Sequence, residues 1–217
     1  MTEYRGIIQT DYQYPKLDYG SGDFDTRHNF TAFFTYDIPG SSHGPKLLTH
    51  GWQINSLMSF HGGQPFDFPG TNPSGTQRPG LNLIGDPFAG VSHSFSKNLG
   101  GEPGEQWVNP AAFCIPGAVG CPGPTNPFGD LPRNAFYGPG FADIDLSVIK
   151  NIPLTERMKL QLRGEMFNVF NRINLASGAG SVGSDGTVRD TIGDFNGAPG
   201  LGPGEPFNMQ IAAKIIF

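Results

Sequence analysis

The sequence predicts an all-β protein with about six antiparallel strands, joined by loops of two very different lengths. Glycine and proline supply 32 and 20 of the 217 residues. This argues against long helices, because an interior Gly costs about 1 kcal/mol and an interior Pro about 3 kcal/mol relative to Ala. The aromatic content of 12% is too high for a disordered chain. Six segments also alternate apolar and polar residues with the period of two that is typical of strands.

The first three alternating segments lie near 4–14, 28–38 and 47–61. The first is the weakest, and its polar positions include Arg5 and Gln9. The second segment spans 11 residues and the clear alternation of the third runs from Trp52 to Phe60, and both lengths are usual for a strand that crosses a bilayer at a tilt. The apolar positions are Tyr4, Ile8, Tyr12 and Tyr14 in the first segment, Phe30, Ala32, Phe34, Tyr36 and Ile38 in the second, and Trp52, Ile54, Met58 and Phe60 in the third.

The last three alternating segments lie near 141–150, 158–170 and 207–217. Over residues 142–148, 158–166 and 207–217 the charged and amide side chains lie on one face only, so one face is suited to water and the other to an apolar environment. The final segment alternates most regularly and ends at Phe217. The apolar positions are Ala142, Ile144, Leu146 and Val148, then Met158, Leu160, Leu162, Gly164 and Met166, and finally Phe207, Met209, Ile211, Ala213, Ile215 and Phe217.

The loops favour a membrane barrel over a soluble β-sandwich, which would show the same alternation with its apolar face inward. The connections 38–46 and 151–157 are short, whereas 15–27, 62–140 and 171–206 are long. Long and short connections alternate without a break, as expected for outer loops and periplasmic turns. Long irregular loops are uncommon in compact soluble domains. The sequence therefore predicts an antiparallel transmembrane β-barrel segment in the outer membrane, with the chain end on the periplasmic side.

The strand count predicts an incomplete barrel, because the smallest single-chain barrels have eight strands. The chain has no apolar run of 18 residues for a transmembrane helix and no apolar core of a secretory signal at its N-terminus. We therefore expect a fragment of a longer outer-membrane protein, in contact with lipid and with upstream barrel strands.

The aromatic residues divide into two groups. One group lies at or near strand ends, where aromatic rings favour the membrane interface; its members are Tyr36, Trp52, Phe60, Phe170 and Phe217. The other group lies in the loop 62–140 and predicts that this loop folds on itself or contacts a partner. Its members are Phe66, Phe68, Phe88, Phe95, Trp107, Phe113 and Phe128.

Nothing in the sequence predicts an enzyme, a cofactor or a metal site. The five histidines are scattered singly, whereas metal catalysis needs three or four converging ligands. Gly178–Gly183 matches GxGxxG, but no helical pattern follows it to receive a phosphate. Asp185, Asp190 and Asp194 give only a partial calcium-loop pattern. A net charge of −5 argues against a nucleic-acid partner.

Cys114 and Cys121 lie in one loop, FCIPGAVGCPG. Their spacing suits a local disulfide in an oxidising compartment, and two free thiols are the alternative.

Several segments resemble the late barrel strands of Oar-like TonB-dependent receptors. They are GSGDFDTRHNFTAFFTYDIPG, LLTHGWQINSLMSFHGGQPF, RPG, WVNPAAF, LPRNAFYGPGFADIDLSVIKNIPL, LQLRGEMFNVFNRINL and the final strand with its terminal aromatic. The resemblance covers residues 20–217 and follows the family's order.

The resemblance implies a 22-strand barrel that carries substrate across the outer membrane under control of the TonB system. It implies a plug and a regulatory-like domain upstream, neither of which this sequence contains. It also implies that Phe217 is the signal read by the barrel-assembly machinery. Two other hypotheses remain: an outer-membrane structural or adhesion barrel, and an extracellular β-sandwich module. The substrate and the residues that bind it stay unknown at this point.

Overall fold

The computed structural model describes residues 18–70, 80–126, 128–178, 180–195 and 205–217. The described chain forms two compact units, which we call the sheet unit (28–62, 141–174 and 191–217) and the loop unit (1–27, 63–140 and 175–190). Among the described residues, no helix has the length and apolar character to span a membrane. The elements in chain order are β1 (Asn29–Ile38), α1 (Lys46–Thr49), β2 (Trp52–His61), β3 (Pro65–Phe66), β4 (Asn82–Leu83), β5 (Ser96–Leu99), β6 (Glu102–Gln106), a 3₁₀ turn (Pro110–Ala112), β7 (Phe113–Cys114), β8 (Phe136–Tyr137), β9 (Phe141–Pro153), β10 (Lys159–Phe167), β11 (Thr187–Val188), α2 (Ile192–Phe195) and β12 (Asn208–Ile216).

The sheet unit is built on one antiparallel sheet with the strand order β1-β2-β9-β10-β12. The all-β antiparallel fold predicted from the alternation is confirmed. The connections β1–β2 and β9–β10 meet one end of this sheet, which we call the short-turn end. The connections β2–β9 and β10–β12 meet the other, which we call the long-loop end. The sheet is open, because β1 and β12 each have one neighbour in it.

The cross-strand register keeps the apolar positions of all five strands on one face. One row, for example, runs through Tyr36, Ile54, Val148, Gly164 and Ile211. A slip of one residue in any strand would turn its apolar side chains to the opposite face. The alternation in the sequence therefore specifies the register as well as the strands.

The predicted strand near 47–61 begins later than expected. Lys46–Thr49 forms the single turn of α1, and β2 starts only at Trp52. Gly51 lies between them with a φ of +79°, a conformation that breaks a strand and suits glycine. The sequence prediction was wrong for residues 47–51, because it extended the alternation across this turn.

The other strand ends differ by a few residues. The segment near 158–170 forms β10 only to Phe167, because Asn168 has a φ of +47° and turns the chain. The segment near 141–150 continues to Pro153 as β9. The segments near 28–38 and 207–217 form β1 and β12, each one residue shorter at its start. The segment near 4–14 lies outside the described residues.

The loop unit has its own hydrophobic core, although the sequence predicts only loops for this region. Its core joins segments that are far apart in sequence, among them residues of the loop 62–140 and of the loop 171–206. Short strand pairs support it: β3 with β8, β4 with β7, and β11 with β6 and β5. The buried core residues are Phe66, Phe68, Leu81, Val108, Ala112, Phe113, Leu131, Phe136, Leu175, Val182 and Val188.

Candidate functional site: the two-faced sheet and the loop unit

The apolar face of the sheet is large and exposed. On β12, the strand at one edge of this face, Ile211 is 79% exposed and Met209 is 60% exposed. An apolar surface that extends over five strands is far larger than soluble monomers normally show, so it marks contact with lipid or protein. Its exposed members are Phe30, Phe34, Tyr36, Ile38, Leu162, Met209, Ile211 and Ile215.

Two polar residues on the apolar face have their hydrogen-bonding groups satisfied by the backbone. The Ser56 hydroxyl donates to the Asp145 carbonyl at 2.9 Å. The Lys150 ammonium donates to the carbonyls of Leu48 and His50, and its Nζ lies 4.7 Å from the centre of the Trp52 ring. Both residues are buried. Paired in this way, they avoid the several-kcal/mol cost of an unsatisfied polar group in hydrocarbon.

Aromatic side chains lie at both ends of the apolar face. Phe30 and Phe60 are cross-strand partners at the long-loop end, with ring centroids 6.1 Å apart. Tyr36 and Trp52 lie toward the short-turn end. Aromatic girdles at the two interfaces are typical of outer-membrane barrels, so the two ends of the face match the two surfaces of a bilayer.

The opposite face is polar and its side chains are hydrogen-bonded to one another across strands. Gln53 donates to Asp37 at 2.8 Å, and Gln161 donates to Asn151 at 3.0 Å. Gln210 on β12 donates to the carboxylate of Glu165 on β10. These pairs link neighbouring strands through groups that prefer water or a polar filling, as expected for the inside of a barrel.

Some details of the polar face differ from the simple pattern. Arg163 forms its ion pair with Glu165 on its own strand, at 3.2 Å. The register explains this, because the cross-strand partners of Arg163 are Ile149 and Ala212. Phe33 and Leu57 lie opposite each other on the same face, so this face carries some apolar residues, Ile149 among them, between its polar ones.

The loop unit contains a polar cluster that the sequence analysis missed. Asp23 accepts hydrogen bonds from Arg133 at 2.6 Å and from Asn134 at 2.8 Å. Asp25 accepts from the Tyr137 hydroxyl at 2.9 Å, and the guanidinium of Arg27 lies 4.8 Å from the centre of the Tyr137 ring. These residues belong to the motifs GSGDFDTR and LPRNAFY. The two motifs therefore contact each other, a fact that their separation of more than 100 residues hides.

The cluster perturbs one of its carboxyl groups. Burial acts to raise the pKa of Asp23, but the hydrogen bonds from Asn134 and Arg133 and the positive charge of Arg133 outweigh it. The net effect is a pKa below the ordinary value of an aspartate. Asp23 is therefore ionised at neutral pH and holds Arg133 and Asn134 in place.

Cys114 and Cys121 are joined by a disulfide in the structure. Cys114 ends β7, which pairs with β4 through Asn82. The Asn82 side chain is fully buried and donates to the carbonyls of Pro122 and Pro124. One buried amide thus holds the chain on the far side of the disulfide against β4.

Of the aromatic residues in the loop 62–140, which is predicted to fold on itself or contact a partner, some are buried in the core of the loop unit and others are exposed. Phe66, Phe68 and Phe113 are in the core of the loop unit, and Trp107 packs against that core. Phe88 and Phe95 are exposed by 47% and 37%. The loop therefore folds on itself, and part of its aromatic surface stays accessible.

The GxGxxG pattern is followed by a turn at Asp185, whereas Asp194 of the calcium-like pattern lies in α2. The Ser181 amide and hydroxyl donate to the Gly178 carbonyl, and the short strand β11 follows instead of a helix. Asp185 accepts hydrogen bonds from Thr187 and from Arg189. Burial acts to raise the pKa of Asp185, but these hydrogen bonds and the charge of Arg189 give a net lowering.

The histidines have different surroundings from one another. His61 stacks on Phe141 with ring centroids 4.8 Å apart, and His93 lies 4.3 Å from Trp107 and 3.8 Å from a Glu105 oxygen. Within the described part of the chain, no group of three or more His, Cys, Asp or Glu side chains has the arrangement of a metal site. Asp143 and Asp145 lie on the polar face of β9.

Phe217 follows β12 at the short-turn end and is 87% exposed. By strand parity it lies on the apolar face, in line with Ile211 and Ile215. The structure does not test its role in assembly, which stays a prediction.

The family comparison agrees with the two-faced sheet. A family model described as outer membrane beta barrel domain matches residues 2–209. No curated protein and no solved structure matches the chain. An antiparallel sheet with an exposed apolar face, aromatic ends and a polar opposite face is what this family requires, and its location is the outer membrane. The chain belongs to the outer membrane beta barrel domain family.

Proposed function

We propose that this chain forms the last strands of a TonB-dependent receptor of the Oar-like type, which moves a substrate across the outer membrane. The observation that carries the proposal is the ordered set of receptor-like motifs, two of which meet in the Asp23–Arg133 cluster. The protein's own role is then to provide a wall of the barrel and part of its outer surface, with no catalytic step. The TonB system and the barrel-assembly machinery are the proposed partners.

The polar face supports a plugged barrel in this proposal. Its side chains include charged groups of both signs, such as Asp37, Arg163 and Lys214. A plug domain that moves during transport needs a polar wall that it can leave and meet again. The Phe33–Leu57 pair supplies one apolar contact on that wall.

A photo-reactive amino acid placed in the complete outer-membrane protein tests the proposal. We would place it at Ser147 on the polar face and, as the matched control, at Leu146 on the apolar face of the same strand. Irradiation of intact cells should link Ser147 to a plug segment of the same polypeptide and Leu146 to lipid. Dissipating the proton gradient should change the yield at Ser147, because a TonB-dependent plug responds to energy.

Each alternative gives a different result. A link at Ser147 that is insensitive to the proton gradient and to loss of TonB contradicts transport and favours a structural barrel. If neither position captures lipid, the membrane-spanning orientation itself is wrong.

A second function, adhesion, is favoured by the loop unit. It has a hydrophobic core, a disulfide and exposed apolar side chains, including Phe24 at 86% exposure and Val119. These are properties of a stable surface for binding other molecules. Cell-to-cell or surface attachment that is lost when Phe24 and Phe88 are replaced by Ser, with proton-gradient responses unchanged, would select this function.

A further inference from the structure

The connection between β1 and β2 contains an exposed apolar helical turn. In α1, Leu47 is 56% exposed and Leu48 is 66% exposed. At these exposures the two leucines are not packed within the sheet unit, and together they form a small apolar surface that is suited to an external apolar contact.

Two hydrogen-bond donors from the apolar face hold this turn. The Trp52 indole N–H donates to the Leu48 carbonyl at 2.7 Å, and the Lys150 ammonium donates to the same carbonyl at 3.3 Å. Lys150 also donates to the His50 carbonyl at 2.5 Å. Trp52 and Lys150 are cross-strand partners in the row that includes Ile38 and Leu162. The turn is therefore bound to the apolar side of the sheet and not to its polar side.

These hydrogen bonds from Trp52 and Lys150, which we call the tether, stabilise both the helical turn and the lysine. The last carbonyls of a helical turn lack intrahelical donors and carry partial negative charge, so a cation and an N–H group satisfy them. In return, the carbonyls and the Trp52 ring stabilise the positive charge of Lys150, which is only 7% exposed. The arrangement lets a charged side chain start from the lipid-facing surface and place its head at the end of the strand, as snorkelling lysines do.

We propose that α1 is an interfacial anchor: Leu47 and Leu48 insert into the headgroup boundary of the phospholipid leaflet at the short-turn end. The argument is continuity, because the apolar face already contacts lipid and α1 extends that same face beyond the strand ends. Segment 39–51 contains Lys46 and no carboxylate, which suits the negative surface of a phospholipid leaflet. The inference rests on the outer-membrane location and is independent of transport.

Fluorescent labelling of the complete protein tests whether α1 inserts into the membrane interface. A nitrobenzoxadiazole group is attached to Leu48→Cys or, as the matched control in the same connection, to Ser42→Cys. The protein is then reconstituted in vesicles of phosphatidylethanolamine with a minority of phosphatidylglycerol. The label at 48 should be quenched more strongly by a nitroxide near the lipid headgroup than by one deep in the acyl chain. It should also be several-fold less sensitive to aqueous iodide than the label at 42. Cys114 and Cys121 are bonded to each other and do not take the label.

Two variants test the tether, with heat-modifiable gel mobility used to select correctly folded protein. Trp52→Phe keeps the ring and removes the N–H donor, and Lys150→Met removes the cation. Combined, they should move the label at 48 toward water. Three results overturn the proposal. The first is equal quenching by iodide of the labels at positions 42 and 48. The second is protection of the label at 48 from both iodide and lipid nitroxides, which would indicate a protein contact, and the third is unchanged quenching by lipid nitroxides in the variant that lacks both donors.

Discussion

Single residues on the sheet show why the apolar and polar faces differ in the substitutions that they accept. On the apolar face, Ser56 and Lys150 are accepted only because backbone carbonyls receive their donors. On the polar face, the apolar residues Phe33 and Leu57 lie opposite each other and are both exposed. A new charge on the apolar face has no comparable partner, whereas one on the polar face finds water or an opposite charge. This difference can be measured within one strand.

Leu146→Arg and Ser147→Arg are a matched pair near the middle of β9. Leu146 is on the apolar face, and Arg there should reduce the free energy of folding into lipid by about 2–4 kcal/mol. Ser147 is opposite Glu165, so Arg there should be nearly neutral. Unfolding of the complete barrel from lipid vesicles with denaturant measures both. Equal losses at the two positions would contradict the assignment of faces.

The Asp23 cluster predicts a pH dependence. Because the pKa of Asp23 is lowered in the folded state, its contribution is fully present above the unfolded value of about 4. It is lost as the pH falls through the lower folded value. We expect proteolysis or amide exchange around residues 133–137 to increase below about pH 4. Asp23→Asn should be more open at pH 7 and show a smaller acid response; an undiminished acid response in this variant argues against Asp23 as the titrating group.

For secondary structure, the alternation of apolar and polar residues predicts where the strands lie and which face of the sheet each side chain is on. Strands β1, β9, β10 and β12 and their faces follow from period two, since one-sided burial requires it. The helical turn α1 does not, because Gly51 and the hydrogen bonds from Trp52 and Lys150 define it, and those donors are distant or follow it in sequence. The aromatic content of the loop 62–140 does predict that this loop folds on itself or meets a partner. The same limit nevertheless hid the Asp23–Arg133 contact and the core shared by the two long loops. Each depends on contacts between segments that local patterns cannot relate.

The disulfide gives a prediction at this scale. Replacing Cys114 and Cys121 together with Ser should destabilise the loop around them by about 2–3 kcal/mol in the chain-entropy model. The effect should be local, because the two residues are only seven positions apart. Limited proteolysis of the complete protein with and without reductant measures it. Alkylation of both thiols in the unreduced exported protein would show that the bond is absent.

For the whole molecule, the open edges of the sheet are the controlling feature. Within the described part of the chain, β1 and β12 each have one neighbouring strand in this sheet and leave the other edge unpaired. In hydrocarbon each unpaired backbone group costs several kcal/mol, so such edges must be paired by further strands. We expect the 217-residue chain, expressed alone with detergent and lipid, not to insert as a monomer. A heat-modifiable monomer from this chain alone would refute that expectation.

The chain end gives a second prediction for the whole molecule. Phe217 is highly exposed, so its deletion should cost little packing energy. If the resemblance to receptors holds, the deletion should nevertheless reduce the amount of complete protein in the outer membrane sharply, because the assembly signal is lost. Membrane fractionation measures the amount, and Phe217→Tyr is the conservative control. Unchanged levels after deletion would remove Phe217 from the assembly role.

The core of the loop unit has a consequence for the order of biogenesis. It combines Phe66 and Leu81 from one long connection with Leu175 and Val188 from the other, and β9 and β10 lie between them in the chain. The core of the loop unit therefore cannot form stepwise along the chain: it is completed only when residues 175–188 are available to pack with Phe66 and Leu81. The Cys114–Cys121 bond, which needs a few neighbouring residues, is free to form much earlier. An antibody that recognises the assembled core would accordingly report finished molecules and ignore stalled ones.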